Sequence, residues 1–146
     1  MSDPAPQSYA THRRWVPAYH FVASGLLVIY LLWRLYKVAT DFSAENALAV
    51  LFVVGLLLVF FYSRTFALAV QDRVIRLEER LRCERLLPAD LKAAAANLTA
   101  GQLIGLRFAA DDELAELVRW VVADNVADRE AIKKRVRSWR PDHQRA

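Results

Sequence analysis

Val50-Leu51-Phe52-Val53-Val54-Gly55-Leu56-Leu57-Leu58-Val59-Phe60-Phe61 carries no polar side chain. It would fill about three helical turns. A helix on the outside of a soluble core keeps one polar face, and this segment has none. Reading outward, the uncharged run extends from Asn46 to Ser63, and a second run, Val16 to Trp33, is equally free of charge if His20 is neutral. Each is about 18 residues long, which enters the range for crossing a bilayer. Aromatic residues mark the ends: Trp15 and Tyr19, Trp33 and Tyr36, then Phe60, Phe61 and Tyr62. Trp and Tyr favour the membrane interface because it satisfies an apolar ring and a polar tip together. Pro17 suits a first helical position, where the missing N–H costs nothing. Two spans are therefore expected in preference to a soluble bundle with two buried helices.

A cleaved signal peptide is the rival for the first run, with His12, Arg13 and Arg14 as its basic start. The apolar stretch is too long for it, and Tyr36-Lys37 follows where small residues would mark cleavage. Orientation comes from the basic residues near the helix ends. Arg13, Arg14, Arg64, Arg73, Arg76, Arg80 and Arg82 lie on one side, and Arg34 and Lys37 on the other. The positive-inside rule then puts both termini in the cytoplasm and the hairpin outside. Arg34 and Arg64 lie close enough to span ends to snorkel. Gly25 and Gly55 fall at similar depth in an antiparallel pair, and small residues let membrane helices approach closely. They are the expected helix-packing point.

From Asn46 to Leu87 there is no proline, and Gly55 is the only glycine. Ser43 is a plausible N-cap. The spacing predicts one helix of about 63 Å, projecting some ~25 Å past a ~30 Å hydrocarbon core. Val70, Val74, Leu77 and Leu81 recur at intervals of four, three and four amid Asp72, Arg73, Arg76, Glu78, Glu79, Arg80, Arg82, Glu84 and Arg85. Asp72–Arg76 and Glu78–Arg82 have the spacing of helical ion pairs. The apolar stripe needs a cover. The following helices are favoured for that over a coiled-coil dimer, because the repeat is shorter than three or four heptads. The same four residues are the candidate partner-binding surface.

Short helices follow. Pro88 opens one to about Leu98. Thr99-Ala100-Gly101-Gln102 has capping-box spacing and starts a helix to about Ala109, with Leu103 and Leu106 inward. Asp111 or Asp112 caps the next, whose apolar face is Leu114, Leu117, Val118, Val121 and Val122. Asp128 caps the last, which places Ile132, Val136 and Trp139 on one face before Pro141. Segments this short need mutual packing to persist. The first dozen residues, rich in proline and polar groups, should be mobile or lie on the membrane.

The fold class expected is all-α. It comprises an N-terminal cytoplasmic segment 1–15, transmembrane helix 16–37, outward-facing hairpin loop 38–45, transmembrane helix 46–69, cytoplasmic amphipathic helix 70–87, short-helix cytoplasmic domain 88–141 and tail 142–146. The 146 residues are 55% hydrophobic with formal charge +4, which excludes disorder over most of the length and a large multidomain enzyme. Cys83 has no partner cysteine, so no disulfide framework exists.

Chemistry-bearing patterns are sparse. His12, His20 and His143 have no metal-ligand spacing. His20, between Tyr19 and Phe21 near a span end, suits an interfacial hydrogen bond better than a haem or quinone contact. Arg80, Arg82 and Arg85 around Cys83 would lower its pKa, although one cysteine on a charged helix face is usually a bystander. No catalytic, metal or cofactor-binding residue is assigned, and no cofactor is called for. The strongest charge signal is Lys133-Lys134-Arg135-Val136-Arg137-Ser138-Trp139-Arg140. Lys133, Lys134, Arg137 and Arg140 are candidate lipid-binding residues, since each basic group near an anionic leaflet adds on the order of 1 kcal/mol. A solvated face and nucleic acid are the competing readings. Asp111, Asp112, Glu113 and Glu116 weaken the latter.

Several blocks carry a family resemblance. They are Gln7-Ser8-Tyr9; His12-x-Arg14-Trp15-Val16-Pro17-x-Tyr19-His20-Phe21; Glu45-Asn46-Ala47-Leu48; Arg64 with Phe66-Ala67-Leu68 and the run Val70 to Arg82; Leu106-Arg107-Phe108-Ala109; and Trp139-Arg140-Pro141-Asp142. Together they resemble a small bacterial two-span membrane family of unknown function over nearly the whole chain. The resemblance implies a bacterial integral membrane protein and brings no activity or site residue with it.

The expected function is a non-enzymatic anchor in the bacterial inner membrane, with both termini cytoplasmic. It presents a cytoplasmic helical domain to a protein partner or to itself, with membrane lipid as the other contact. Two further readings are a membrane-tethered nucleic-acid binder using the basic last helix, which is disfavoured, and a small redox or quinone-associated subunit using His20.

Overall fold

Pro17 and Pro88 each precede a helical segment in this chain, and Ser43, Thr99 and Asp128 cap others. A computed structural model describes residues 7–11 and 15–142. A π-helical stretch, Ala18–Ala23, leads into α1 (Ser24–Thr40), followed by α2 (Ala44–Leu86), α3 (Ala89–Ala96), α4 (Ala100–Leu106), α5 (Leu114–Ala123) and α6 (Arg129–Arg135). No strand occurs among the described residues; Ala109 and Trp139 form an isolated antiparallel bridge. Two compact units result, residues 15–67 and residues 68–142 with 7–11.

In the unit of residues 15–67, two helices are long and apolar enough to cross a membrane. They are Ala18–Thr40, with mean hydropathy 1.5, and the apolar part of Ala44–Leu86, with mean hydropathy 2.3. Ser43 Oγ accepts the Asn46 N–H at 3.1 Å, which supplies the expected cap, and α2 then runs 43 residues without a break. The Tyr19 ring stacks on Phe60 at 4.0 Å, and its hydroxyl donates to the Phe60 carbonyl. Arg34 donates to Asn46 Oδ1 at 3.1 Å and to the Tyr30 hydroxyl at 2.9 Å. Asn46 in turn donates to the Asp41 carbonyl at 2.9 Å.

The close approach expected at Gly25 and Gly55 is not formed: a methyl added at either would meet nothing within 4 Å. Val53 is fully buried and marks the inward side of α2. Gly55, two residues on, is turned about 200° from it.

In the unit of residues 68–142, α3 to α6 pack around a core that includes Cys83, Leu87, Leu91, Leu103, Leu106, Leu114, Leu117, Val118, Val121 and Ile132. The capping box at Thr99 and Gln102 is present, and Gln102 Nε2 also reaches the Val126 carbonyl at 2.9 Å. Asp128 accepts the Glu130 and Ala131 N–H groups. Other boundaries differ from the sequence reading. Neither Asp111 nor Asp112 caps α5, which begins after Glu113 with no side-chain cap. Helix α6 ends at Arg135, and Val136 is extended. The Glu113 carboxylate takes the Arg137 and Ser138 N–H groups, while Ala110 donates to Ser138 and Arg140 donates to Phe108. Those non-local bonds replace the next helical turn. Of the first dozen residues, expected to be mobile or to lie on the membrane, only 7–11 are among the described residues. Gln7 and Asp142 exchange two hydrogen bonds at 2.9 Å.

Candidate functional site

The expected cover for the α2 stripe does not come from the following helices. Val70, Val74, Leu77 and Leu81 are 61%, 49%, 60% and 63% exposed. Another face of α2, where Ile75, Glu79, Arg82 and Cys83 are buried, meets the unit's core at Cys83 and the connection after α4 at Ala109 and Asp111. The periodicity of the four residues is real, but the buried face contains a charged pair that a hydropathy pattern reads as solvent-facing. Arg82 does not pair with Glu78; it bonds Glu79 and Asp111. The four candidate partner-binding residues thus form an apolar strip on a helix whose opposite side is occupied.

The basic segment is largely spent on internal contacts. Lys133 is buried and bonds Glu130 at 2.7 Å. Arg137 pairs with Glu116, and Arg140 reaches Glu79 at 3.3 Å. Lys134 is exposed and sits 5.7 Å from the Tyr9 ring centre. The four candidate lipid-binding residues therefore share no single helix face, because α6 stops before Arg137 and Arg140. Acidic partners meet three of the four: Glu130 lies one helical turn from Lys133, while Glu116 and Glu79 are distant in sequence and invisible to a scan for basic runs.

A polar knot emerges that sequence reasoning did not assemble. Arg82 donates to Glu79 at 3.0 Å, to Asp111 at 2.8 Å and to the Ala109 carbonyl at 2.6 Å. Arg107 meets Asp142 at 3.1 Å and lies 4.3 Å from the Phe108 ring centre. Phe108 in turn packs on Trp139 at 4.7 Å. Blocks containing Gln7, Glu79 and Arg82, Arg107 and Phe108, and Trp139 to Asp142 meet here, and they are among those that carry the family resemblance. Burial pushes the Glu79 carboxyl above its usual range against the pull of Arg82 and Arg140. The knot locks α2 to the bridge at Ala109 and Trp139.

The lowering of the Cys83 pKa that its arginine neighbours suggested is not found, and the bystander reading of this residue is not overturned. Cys83 is 4% exposed, and burial, reinforced by Glu79, raises its thiol to about 11 against the weaker opposing effect of Arg82. That is the reverse of an activated thiol. His20 Nδ1 lies 3.0 Å from the Val16 carbonyl oxygen, with Trp15 and Tyr19 edge-on to its ring. His12 and His143, and the orienting Arg13 and Arg14, lie outside the described residues. Among the described residues no group of three or more His, Cys, Asp or Glu side chains is arranged to hold a metal.

These features define an all-helical protein with two candidate membrane-crossing helices and a compact helical unit that presents an apolar strip. A family model, described as a family of unknown function (DUF6526), matches residues 1–146. The chain belongs to that family. No curated protein and no solved structure matches it.

Proposed function

We propose that the protein is a non-enzymatic membrane anchor. On this reading, α1 and the apolar part of α2 form a transmembrane hairpin, and the unit of residues 68–142 is displayed in the cytoplasm to a partner. The exposure of Val70, Val74, Leu77 and Leu81 carries the docking part of this reading. A folded domain rarely leaves a row of aliphatic side chains uncovered without a use for it. The anchoring part is supported by apolar windows of which none of the first and 11% of the second is buried, since the core helix of a soluble protein would be mostly buried. Contacts between Tyr19 and Phe60 and between Arg34 and Asn46 support an antiparallel course. Arg34 would then sit near the outer surface, hydrogen-bonded to Asn46 and Tyr30.

The test is capture from native membranes in mild detergent. Wild-type protein should retain a partner that the Leu77→Asp/Leu81→Asp variant loses, with both proteins equally folded by circular dichroism. Unchanged capture by the variant would refute the strip as the interface.

A further inference from the structure

We infer that the occupant of the α2 strip is a second copy of this chain, laid parallel to the first from Val70 to Leu81. The inference rests on the anchored reading above. The spacing sets a register in which Val70 and Leu77 take one seam position and Val74 and Leu81 the other. Behind that seam, Ile75, Glu79, Arg82 and Cys83 are buried in the chain's own unit, so the seam faces away from it.

Charge complementarity selects the partner. Arg73 and Glu78 flank the seam, and both are exposed. Their separation of five residues is the one that apposes flanking positions of two parallel helices. Two-fold symmetry then sets Arg73 of each copy beside Glu78 of the other and makes the contact twice. Past Leu81 the match ends. Glu84 takes the next seam position, and Arg80 would face a like-charged Arg85.

Four aliphatic side chains fall short of the ~800 Å² per partner of a free-standing interface. Anchorage supplies the rest. Two chains inserted the same way share direction, which rules out antiparallel pairing, and each meets the other at high effective concentration.

The experiment is disulfide trapping of the full chain in its membrane under mild oxidation. Native Cys83 is buried and does not compete. Leu77→Cys and Val74→Cys should give linked dimers, and Arg76→Cys, off the seam, should not. Adding Arg73→Glu to Leu77→Cys should abolish the dimer, and adding Glu78→Arg as well should restore it. Equal linking at Arg76 and Leu77, indifference to Arg73→Glu, or no linked dimer at all would overturn the inference. If dimers fail while Leu77→Asp/Leu81→Asp still releases a different protein from the membrane-bound chain, the second copy is refuted and the anchored docking reading survives. If the chain is recovered from the aqueous fraction without detergent, the anchored reading falls with it.

Discussion

Gly105 on α4 packs against Arg129 and Ile132 of α6. A Cβ built there would lie 2.9 Å from Ile132 Cβ and 3.2 Å from the Arg129 carbonyl oxygen, and neither atom belongs to the free end of a flexible chain. Gly105→Ala is therefore expected to destabilise the unit by about 1–3 kcal/mol through overpacking. Gly55→Ala, which meets open space, should be close to neutral; unfolding of the purified chains in one detergent compares them. Sequence pointed to Gly25 and Gly55 because they fall at similar depth in two apolar runs read as antiparallel. Gly105 looks unremarkable in a short helix, and only the non-local approach of Ile132 gives it meaning. Glu79 behaves similarly. Its raised pKa means the folded state holds the proton more tightly than the unfolded chain. That contribution is complete below 4.5 and is lost as pH rises through the raised value. The unfolding free energy of the wild type minus that of Glu79→Gln should therefore grow as pH falls toward 4.5. A difference that shrinks would mean the two arginines outweigh burial.

At the scale of elements, local signals served where the structure uses local interactions. Ser43, Thr99 with Gln102, and Asp128 were legible as caps because each bonds an N–H two or three residues away. The unbroken length of α2 was legible because no proline interrupts it, and most of the inward face of α5 because Leu114, Leu117, Val118 and Val121 recur on one side; Val122, read with them, is exposed instead. Asp128→Ala should cost about 1 kcal/mol, a large share of what holds a helix of seven residues, and its effect is read as a lowered unfolding midpoint. Boundaries failed where partners are distant. The end of α6 depends on Glu113, 24 residues upstream of Arg137, and no periodicity encodes that. The seating of α2 on its unit was hidden for a related reason. Its buried face includes Glu79 and Arg82, which are tolerable only because Arg140, Asp111 and the Ala109 carbonyl complete their hydrogen bonding. The exposed strip was legible as a pattern, and its exposure was not.

For the molecule as a whole, the proposed sidedness rests on charge near the ends of the two apolar helices. Arg82 is consumed inside the folded unit, but insertion is decided on the unfolded chain, so it still counts toward retention. Lys37 lies 3.6 Å from Asp41 and Arg34 bonds Asn46, so the two basic residues of the turn side have local partners once folded. This imbalance predicts that Ser43→Cys, placed between α1 and α2, reacts with a membrane-impermeant maleimide in intact cells. Arg85→Cys, exposed on the last turn of α2, should react only after permeabilisation. The buried native Cys83 gives little background. Labelling in the opposite order would invert the proposed topology. It would also move the strip from Val70 to Leu81 to the far side of the membrane, where a cytoplasmic partner could not reach it. Labelling of both sites in intact cells, or of neither until permeabilisation, would put them on one side and mean that α2 does not cross the membrane between them.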